Sequence, residues 1–151
     1  MEETGRKKTK DIKWEGELTR DKIIYDLREI FEKIGKKIGV HYVVVFGSYA
    51  RNTSGPLSDI DIAVKIDDDR YLPLLIYEIE GILNIDFDVV NIKKLDPIML
   101  FEVFSTGIPI YCRDIKEYYD DYVWAIRKYL DFRHILNLHE KEILYGIPRS
   151  H

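Results

Sequence analysis

The sequence predicts an α/β fold in which a small mixed sheet is flanked by helices and followed by a long C-terminal helix. Three observations support this fold class. Short apolar runs of strand length recur along the chain, and segments with helical spacing of apolar residues separate them. Residues from Ile115 to Leu144 then keep helical spacing without a break. With 151 residues and one cysteine, Cys112, the chain can bury a core but cannot form an internal disulfide.

We divide the chain into a charged N-terminal tail over residues 1–18, an α/β domain over 19–113 and a C-terminal helical extension over 114–151. The net charge is −4 and the pI is about 5.6, so we expect no partner that is a long nucleic acid. No apolar stretch has the length of a bilayer span and no signal-peptide pattern begins the chain. These features predict a cytoplasmic protein without membrane contact.

The first half of the domain predicts a helix and then a central strand. Thr19 is a good N-cap residue, and apolar residues recur from Ile23 to Ile38 at helical spacing, with Gly39 as the expected stop. Val40–Phe46 is apolar on both faces, which is typical of a strand with neighbours on both sides.

The second half alternates strands and helices. We predict strands over Ser58–Ile66, Asn84–Ile92 and Ile108–Cys112, and a helix over Leu74–Leu83. A further helix begins at Asp96-Pro97 and ends near Gly107. Asp67, Asp68 and Asp69 are predicted to form a solvated loop. Asp114 is the expected N-cap of the long helix, which carries an apolar and aromatic stripe of Tyr119, Tyr122, Val123, Ile126, Tyr129 and Leu130.

The candidate catalytic residues lie around the connection between the first and the second predicted strand. Gly47-Ser48 follows the first strand, and Asp59 and Asp61 lie two residues apart on the second. Because side chains alternate along a strand, both acids point to one face, whereas Ile60, Ile62, Val64 and Ile66 point to the other. Two carboxylates beside a turn of small residues suit a divalent cation and a triphosphate.

This run resembles the signature of the DNA polymerase beta-like nucleotidyltransferase superfamily, which has Gly-Ser followed by Asp-x-Asp at the start of the next strand. The resemblance implies transfer of a nucleotide from ATP to an acceptor with two Mg²⁺ ions as cofactors. It implies that Gly47, Ser48 and Arg51 bind the triphosphate, and that Asp59 and Asp61 are catalytic metal ligands. Asn52 departs from the family's usual glycine.

A third carboxylate is needed near the attacking oxygen, and the third strand offers Asp86 and Asp88 on one face. The residues alone do not choose between them. The segment Asp88-Val89-Val90-Asn91-Ile92 resembles the family's Asp-hydrophobic-hydrophobic-Asp-Leu segment, which implies that Asp88 is the third catalytic acid and metal ligand.

The chain is most similar to the minimal nucleotidyltransferases, because it is too short for added substrate domains. Its segment 127–132 resembles the MntA-type antitoxins, which implies a HEPN-type toxin as partner and transfer of AMP to that protein. Two alternatives stay open, a small-molecule nucleotidyltransferase of the antibiotic-modifying kind and an antitoxin that acts by binding alone. The six residues between Arg127 and His134 also match a loose ribonuclease pattern, but one helix cannot supply the helical bundle that such enzymes need.

Overall fold

The structure is a computed structural model, and it describes residues 20–47 and 59–146. Ser48 and Arg51, two of the predicted nucleotide ligands, lie outside the described residues. Thr19, the predicted cap of the first helix, lies outside them as well.

Helices and strands follow one another in the predicted order. They are α1 (residues 20–34), β1 (Val40–Phe46), β2 (Ile60–Ile66), α2 (Leu72–Glu80), β3 (Phe87–Asn91), α3 (Pro97–Thr106), β4 (Ile108–Cys112) and α4 (Ile115–Tyr145). Short 3₁₀ turns at Asp69–Tyr71 and Ile92–Lys94 precede α2 and α3. The bounds of β1 and β4 are those that the sequence predicts.

The four strands form one mixed sheet in the order β3-β2-β1-β4. β1 is antiparallel to β2 and to β4, whereas β2 and β3 are parallel. Every residue of β1 is buried, which confirms its central position. The predicted fold class, a small mixed sheet flanked by helices with a long C-terminal helix, is therefore confirmed.

The sheet packs against helices on both faces, because β2 alternates its side chains between two hydrophobic clusters. Ile60, Ile62, Val64 and Ile66 join α1 and α2 in the first cluster. Ala63, on the opposite face, joins α3 and the first half of α4 in the second cluster. That second cluster is rich in rings, and the side chains of Tyr42, Phe104, Tyr118 and Tyr122 contact one another there.

Several predicted boundaries are wrong, and three of them differ from the structure by three residues or more. α1 ends at residue 34 and a turn covers 35–39, so Ile38 is not helical. Gly39 adopts a φ of 77° that reverses the chain into β1. α2 ends at Glu80 instead of Leu83. β3 begins at Phe87 instead of Asn84, because its pairing with β2 begins at Ile60.

Capping residues define both ends of α4. The Asp114 carboxylate accepts a hydrogen bond from the Lys116 backbone N–H, and Gly146 closes the helix in a left-handed conformation with φ of 62°. Within residues 20–47 and 59–146, no helix is long and apolar enough to cross a membrane.

Candidate active site

Two acids from neighbouring strands lie side by side at the end of the sheet. The parallel register of β2 and β3 pairs Asp61 with Asp88, and Asp59 directly precedes β2. Paired residues of parallel strands point their side chains to the same face. The structure therefore brings together carboxylates that are 27 positions apart in sequence.

These acids repel one another without a balancing cation among the described residues. Burial and the neighbouring carboxylates of Asp88, Asp59 and Glu102 raise the pKa of Asp61. Within the described part of the chain, no lysine, arginine or histidine forms an ion pair with Asp59, Asp61 or Asp88. The concentrated negative charge is the property expected of a site that receives a cation.

Glu102 is the member of this group that sequence reasoning missed. It lies on α3, on the face of the sheet toward which Asp61 points. No spacing rule relates a helix residue to an acid 41 positions earlier, so only the packing of α3 on the sheet reveals it.

Gly47 supports Asp61 through direct packing. It follows β1, is buried and has a φ of 78°. A Cβ atom at this position would lie 2.5 Å from the Asp61 Oδ2 atom. Only glycine combines this backbone conformation with such a close approach, so the residue predicted to approach a triphosphate also bounds the Asp61 carboxylate.

Asp86 and Asp88 are both exposed, but they hold different positions. The Asp86 carbonyl accepts a hydrogen bond from the Ile60 N–H before β3 begins, whereas Asp88 is within the strand beside Asp61. Both acids, together with Asp59, line a groove of about 720 Å³ that runs between β3 and α2. Register thus associates Asp88 more directly with Asp61.

The donor set of this site fits a hard divalent cation. In the ranges 20–47 and 59–146, no three Asp, Glu, His or Cys side chains converge on one point as a finished metal cage. Mg²⁺ commonly takes only one or two protein carboxylates and completes its shell with water and phosphate oxygens. Asp59, Asp61 and Asp88 supply carboxylate oxygens whose mutual repulsion a cation would relieve.

The other end of β2 carries a polar network that the sequence did not predict. The Lys65 Nζ atom lies 2.6 Å from Asp121 Oδ2 and 3.2 Å from Glu117 Oε2 of α4. Burial alone would lower the pKa of Lys65, but hydrogen bonds to these two carboxylates outweigh burial and raise it. His41 lies between Asp67 and Glu117, at 2.6 and 2.7 Å.

Comparison with known proteins identifies the family. The sequence profile described as "Polymerase beta, Nucleotidyltransferase" matches residues 26–116, which include β1 to β4 and all three acids. The chain belongs to this family. It is therefore a nucleotidyltransferase, and the predicted resemblance is confirmed.

Curated relatives come from Methanocaldococcus jannaschii and are proposed to be protein adenylyltransferases. One is 32% identical over 77 residues, covering 49% of this chain and 83% of its own length. Another is 36% identical over 79 residues, covering 48% and 92%.

Solved structures show the same fold. A chain of the toxin–antitoxin complex MntA–HepT covers 85% of this chain and 98% of its own length, with a TM-score of 0.58 and 18% identity. A chain from the complex of a tri-AMPylated HEPN toxin of Shewanella oneidensis with the MNT antitoxin covers the same shares, with a TM-score of 0.57 and 21% identity. A protein proposed to be a minimal nucleotidyltransferase covers 60% of this chain and 94% of its own length, with a TM-score of 0.52 and 27% identity.

Proposed function

We propose that this nucleotidyltransferase transfers AMP from ATP to a hydroxyl group of a partner protein, and that this partner is a HEPN-type toxin. The observation that carries the proposal is the pairing of Asp61 with Asp88 next to Asp59, three carboxylates that form no ion pair with a lysine, arginine or histidine of the described ranges. Relatives proposed to be protein adenylyltransferases support a protein acceptor. The complex of an AMPylated HEPN toxin with an antitoxin of the same fold supports the partner. A cytoplasmic location is part of the same proposal.

The reaction forms one bond and breaks one bond. The acceptor oxygen attacks the α-phosphorus of ATP, the bond between the α-phosphorus and the bridging oxygen breaks, and pyrophosphate leaves. In this proposal Asp88 takes the proton of the attacking hydroxyl, while Gly47, Ser48 and Arg51 hold the triphosphate. Asp59, Asp61 and Asp88 would hold two Mg²⁺ ions, which stabilise the negative charge that builds on the phosphate oxygens.

We further propose that α4 holds the partner. Residues spaced alternately by four and three positions form a single seam along α4: Tyr118, Tyr122, Ala125, Tyr129, Phe132, Leu136, His139 and Ile143. Tyr118 and Ala125 are buried against the second core cluster, and Tyr129 stacks on Phe101 of α3. Leu136 and Ile143 are 47% and 81% exposed in the described structure.

A seam with a 3.5-residue period matches a helix that runs alongside, as in a coiled coil. The inner half of this seam already packs on α3, and the outer half continues the same line with Leu136 and Ile143 exposed in the described structure. A helical protein is therefore the partner whose shape fits the outer half of α4.

The chemistry is tested by co-expression with the adjacent gene product and by the intact mass of that product. We expect the partner to gain the mass of AMP with the wild-type enzyme and ATP, and no gain with Asp59→Asn, Asp61→Asn or Asp88→Asn. Asp86→Asn is the matched control, since it removes a nearby acid from the same groove and should leave transfer intact. If the Asp86 variant is the inactive one, the third acid is misassigned.

Binding is tested separately with two leucines of equal exposure. Leu136 lies in the seam and is 47% exposed, whereas Leu138 lies on another face and is 46% exposed. Leu136→Glu should weaken co-purification of the partner by tenfold or more, about 1.4 kcal/mol, whereas Leu138→Glu should not. Equal losses in both variants would exclude the seam as the interface. A bound partner that never gains AMP would instead favour an antitoxin that acts by binding, and transfer to a small molecule alone would favour the antibiotic-modifying class.

A further inference from the structure

The sheet has an open edge next to the acids. In the described structure β3 is an end strand, with β2 on one side only. The Ile60 N–H donates to the Asp86 carbonyl, and the parallel register pairs Ile60 with Phe87. The direction of the backbone N–H and C=O groups alternates along a strand. These groups therefore point toward β2 at Asp86, Asp88 and Val90. Phe87 and Val89 direct their N–H and C=O groups outward.

Such an edge can hydrogen-bond an extended segment of another chain. We propose that the acceptor segment of the protein substrate docks as an additional strand on β3, which places its hydroxyl beside Asp88. This inference rests on the proposed function. It specifies how the acceptor is recognised, whereas α4 holds the body of the partner.

The position of Asp88 determines where the modified residue lies. Residues directly opposite each other on neighbouring strands have Cβ atoms about 4.5–5.5 Å apart and point to the same face. The residue opposite Asp88 therefore directs its side chain to the face on which Asp61 and Asp88 lie. A serine, threonine or tyrosine at that position presents its hydroxyl to the acids.

The groove between β3 and α2 determines which residue types the acceptor favours next to its hydroxyl-bearing residue. Five of the side chains that line the groove are apolar: Ile76, Leu83, Ile85, Phe87 and Val89. Residues on either side of the hydroxyl-bearing residue point to this opposite face, so they should be apolar. Glu80, at the end of α2, also lines the groove, so a lysine or arginine three residues from the hydroxyl, which points to the same face, would meet an opposite charge. The favoured acceptor is thus an extended, basic segment with apolar residues flanking the hydroxyl.

The test uses synthetic peptides and two substitutions at one outward-facing position. The probe peptide has a tyrosine between two isoleucines and a lysine three residues from the tyrosine, and its Tyr→Phe form is the control that cannot accept AMP. Val89→Pro removes an N–H that faces outward and so leaves the ladder with β2 intact, because proline is tolerated at such edge positions. Val89→Ala loses side-chain contacts but keeps the N–H. We expect Val89→Pro to lower kcat/KM for labelled AMP transfer to the peptide by about tenfold or more, and Val89→Ala to lower it far less.

A second reaction separates this inference from the proposed function. Slow conversion of ATP to AMP and pyrophosphate, with water as acceptor, uses the acids but not the edge of β3. Val89→Pro should keep this reaction and the melting temperature of Val89→Ala. Equal peptide transfer by both variants, or no wild-type transfer to the peptide while the water reaction proceeds, would overturn the docking inference alone. Absence of both reactions in the wild-type enzyme would overturn the proposed function as well.

Charge reversal gives an independent test that does not alter the strand. Glu80→Lys changes the charge of the groove at an exposed position of α2. We expect the wild-type enzyme to prefer the lysine peptide over its Lys→Glu form, and the Glu80→Lys variant to lose or invert that preference. An unchanged preference would contradict contact between Glu80 and the basic residue of the acceptor.

Discussion

The two ends of β2 place charged side chains on one face of the sheet in opposite surroundings. Asp61 is close to the carboxylates of Asp88, Asp59 and Glu102. Lys65, four residues later, lies between two carboxylates of α4. At the Lys65 end the charge is therefore neutralised by ion pairs within the fold. At the Asp61 end carboxylates of like charge lie together, which lowers the stability of the fold. The difference separates the part of the strand that anchors α4 from the part that is available for a cation and a nucleotide.

Activity should show the largest difference between the two ends. Asp61→Asn is expected to lower kcat/KM for AMP transfer by about 10³-fold or more, the order lost when one electrostatic group is removed from a transition state. Lys65→Met should retain activity per folded molecule, because Lys65 contacts α4 and not the acids. Labelled ATP at saturating concentration measures both. Comparable losses in the two variants would mean that the ends of β2 do not have separate roles.

Stability should respond in the reverse order. Lys65→Met is expected to lower the free energy of unfolding by about 2 kcal/mol, since it removes the cation paired with Asp121 and one of the partners of Glu117, next to each other on α4. Lys116→Met is the control, because Lys116 forms a similar pair with Asp120 at 2.8 Å but is 82% exposed. Urea titration should show no measurable change for that control.

Gly47→Ala sharpens the comparison by disturbing only the Asp61 end. A left-handed backbone costs a non-glycine residue about 1–2 kcal/mol, and the added Cβ would also displace the Asp61 carboxylate. We expect both stability and AMP transfer to fall. Gly146→Ala shares the left-handed conformation but has nothing within 4 Å of its Cβ. That control should lose stability alone, and equal activity in the two variants would refute the packing role of Gly47.

The smallest expected effect is a gain in stability from removing the Asp61 charge. Burial and neighbouring carboxylates raise the pKa of Asp61, so its ionisation is less favourable in the folded chain than in the unfolded chain. The resulting cost is present at neutral pH and disappears as the pH falls through the raised pKa toward the ordinary value. Asp61→Asn should therefore raise Tm at pH 7 and not at acidic pH. A Tm gain that persists below pH 3 would point to another cause.

Local pattern was sufficient for much of the fold. β1 and β4 were predicted to the residue, because apolar runs next to Gly39, Gly47 and Gly107 have sharp ends. The start of β3 was missed because Asn84 to Asp86 alternate like a strand, while their pairing depends on where β2 begins.

Contacts between distant segments were beyond the sequence. The motif indicated Asp59 and Asp61 as candidates, but only the parallel register shows Asp88 beside Asp61. Glu102 and the network of His41 and Lys65 arise from helices packed on the sheet, which leave no local signature. Tyr118 and Ala125 were likewise absent from the predicted stripe, although they form the buried part of α4.

The length of α4 has a consequence for which hydroxyl is modified. Its 31 residues make a rod about 46 Å long, and ion pairs at its N-terminal end fix it to the sheet through Lys65. A partner bound to the outer half of α4 would be held at a fixed distance from the acids. Only a hydroxyl on a partner segment long enough to cover that distance could reach the acids. In this arrangement the length of α4 determines which hydroxyl of the acceptor is modified. Adding or removing whole helical turns would therefore shift modification to a different hydroxyl.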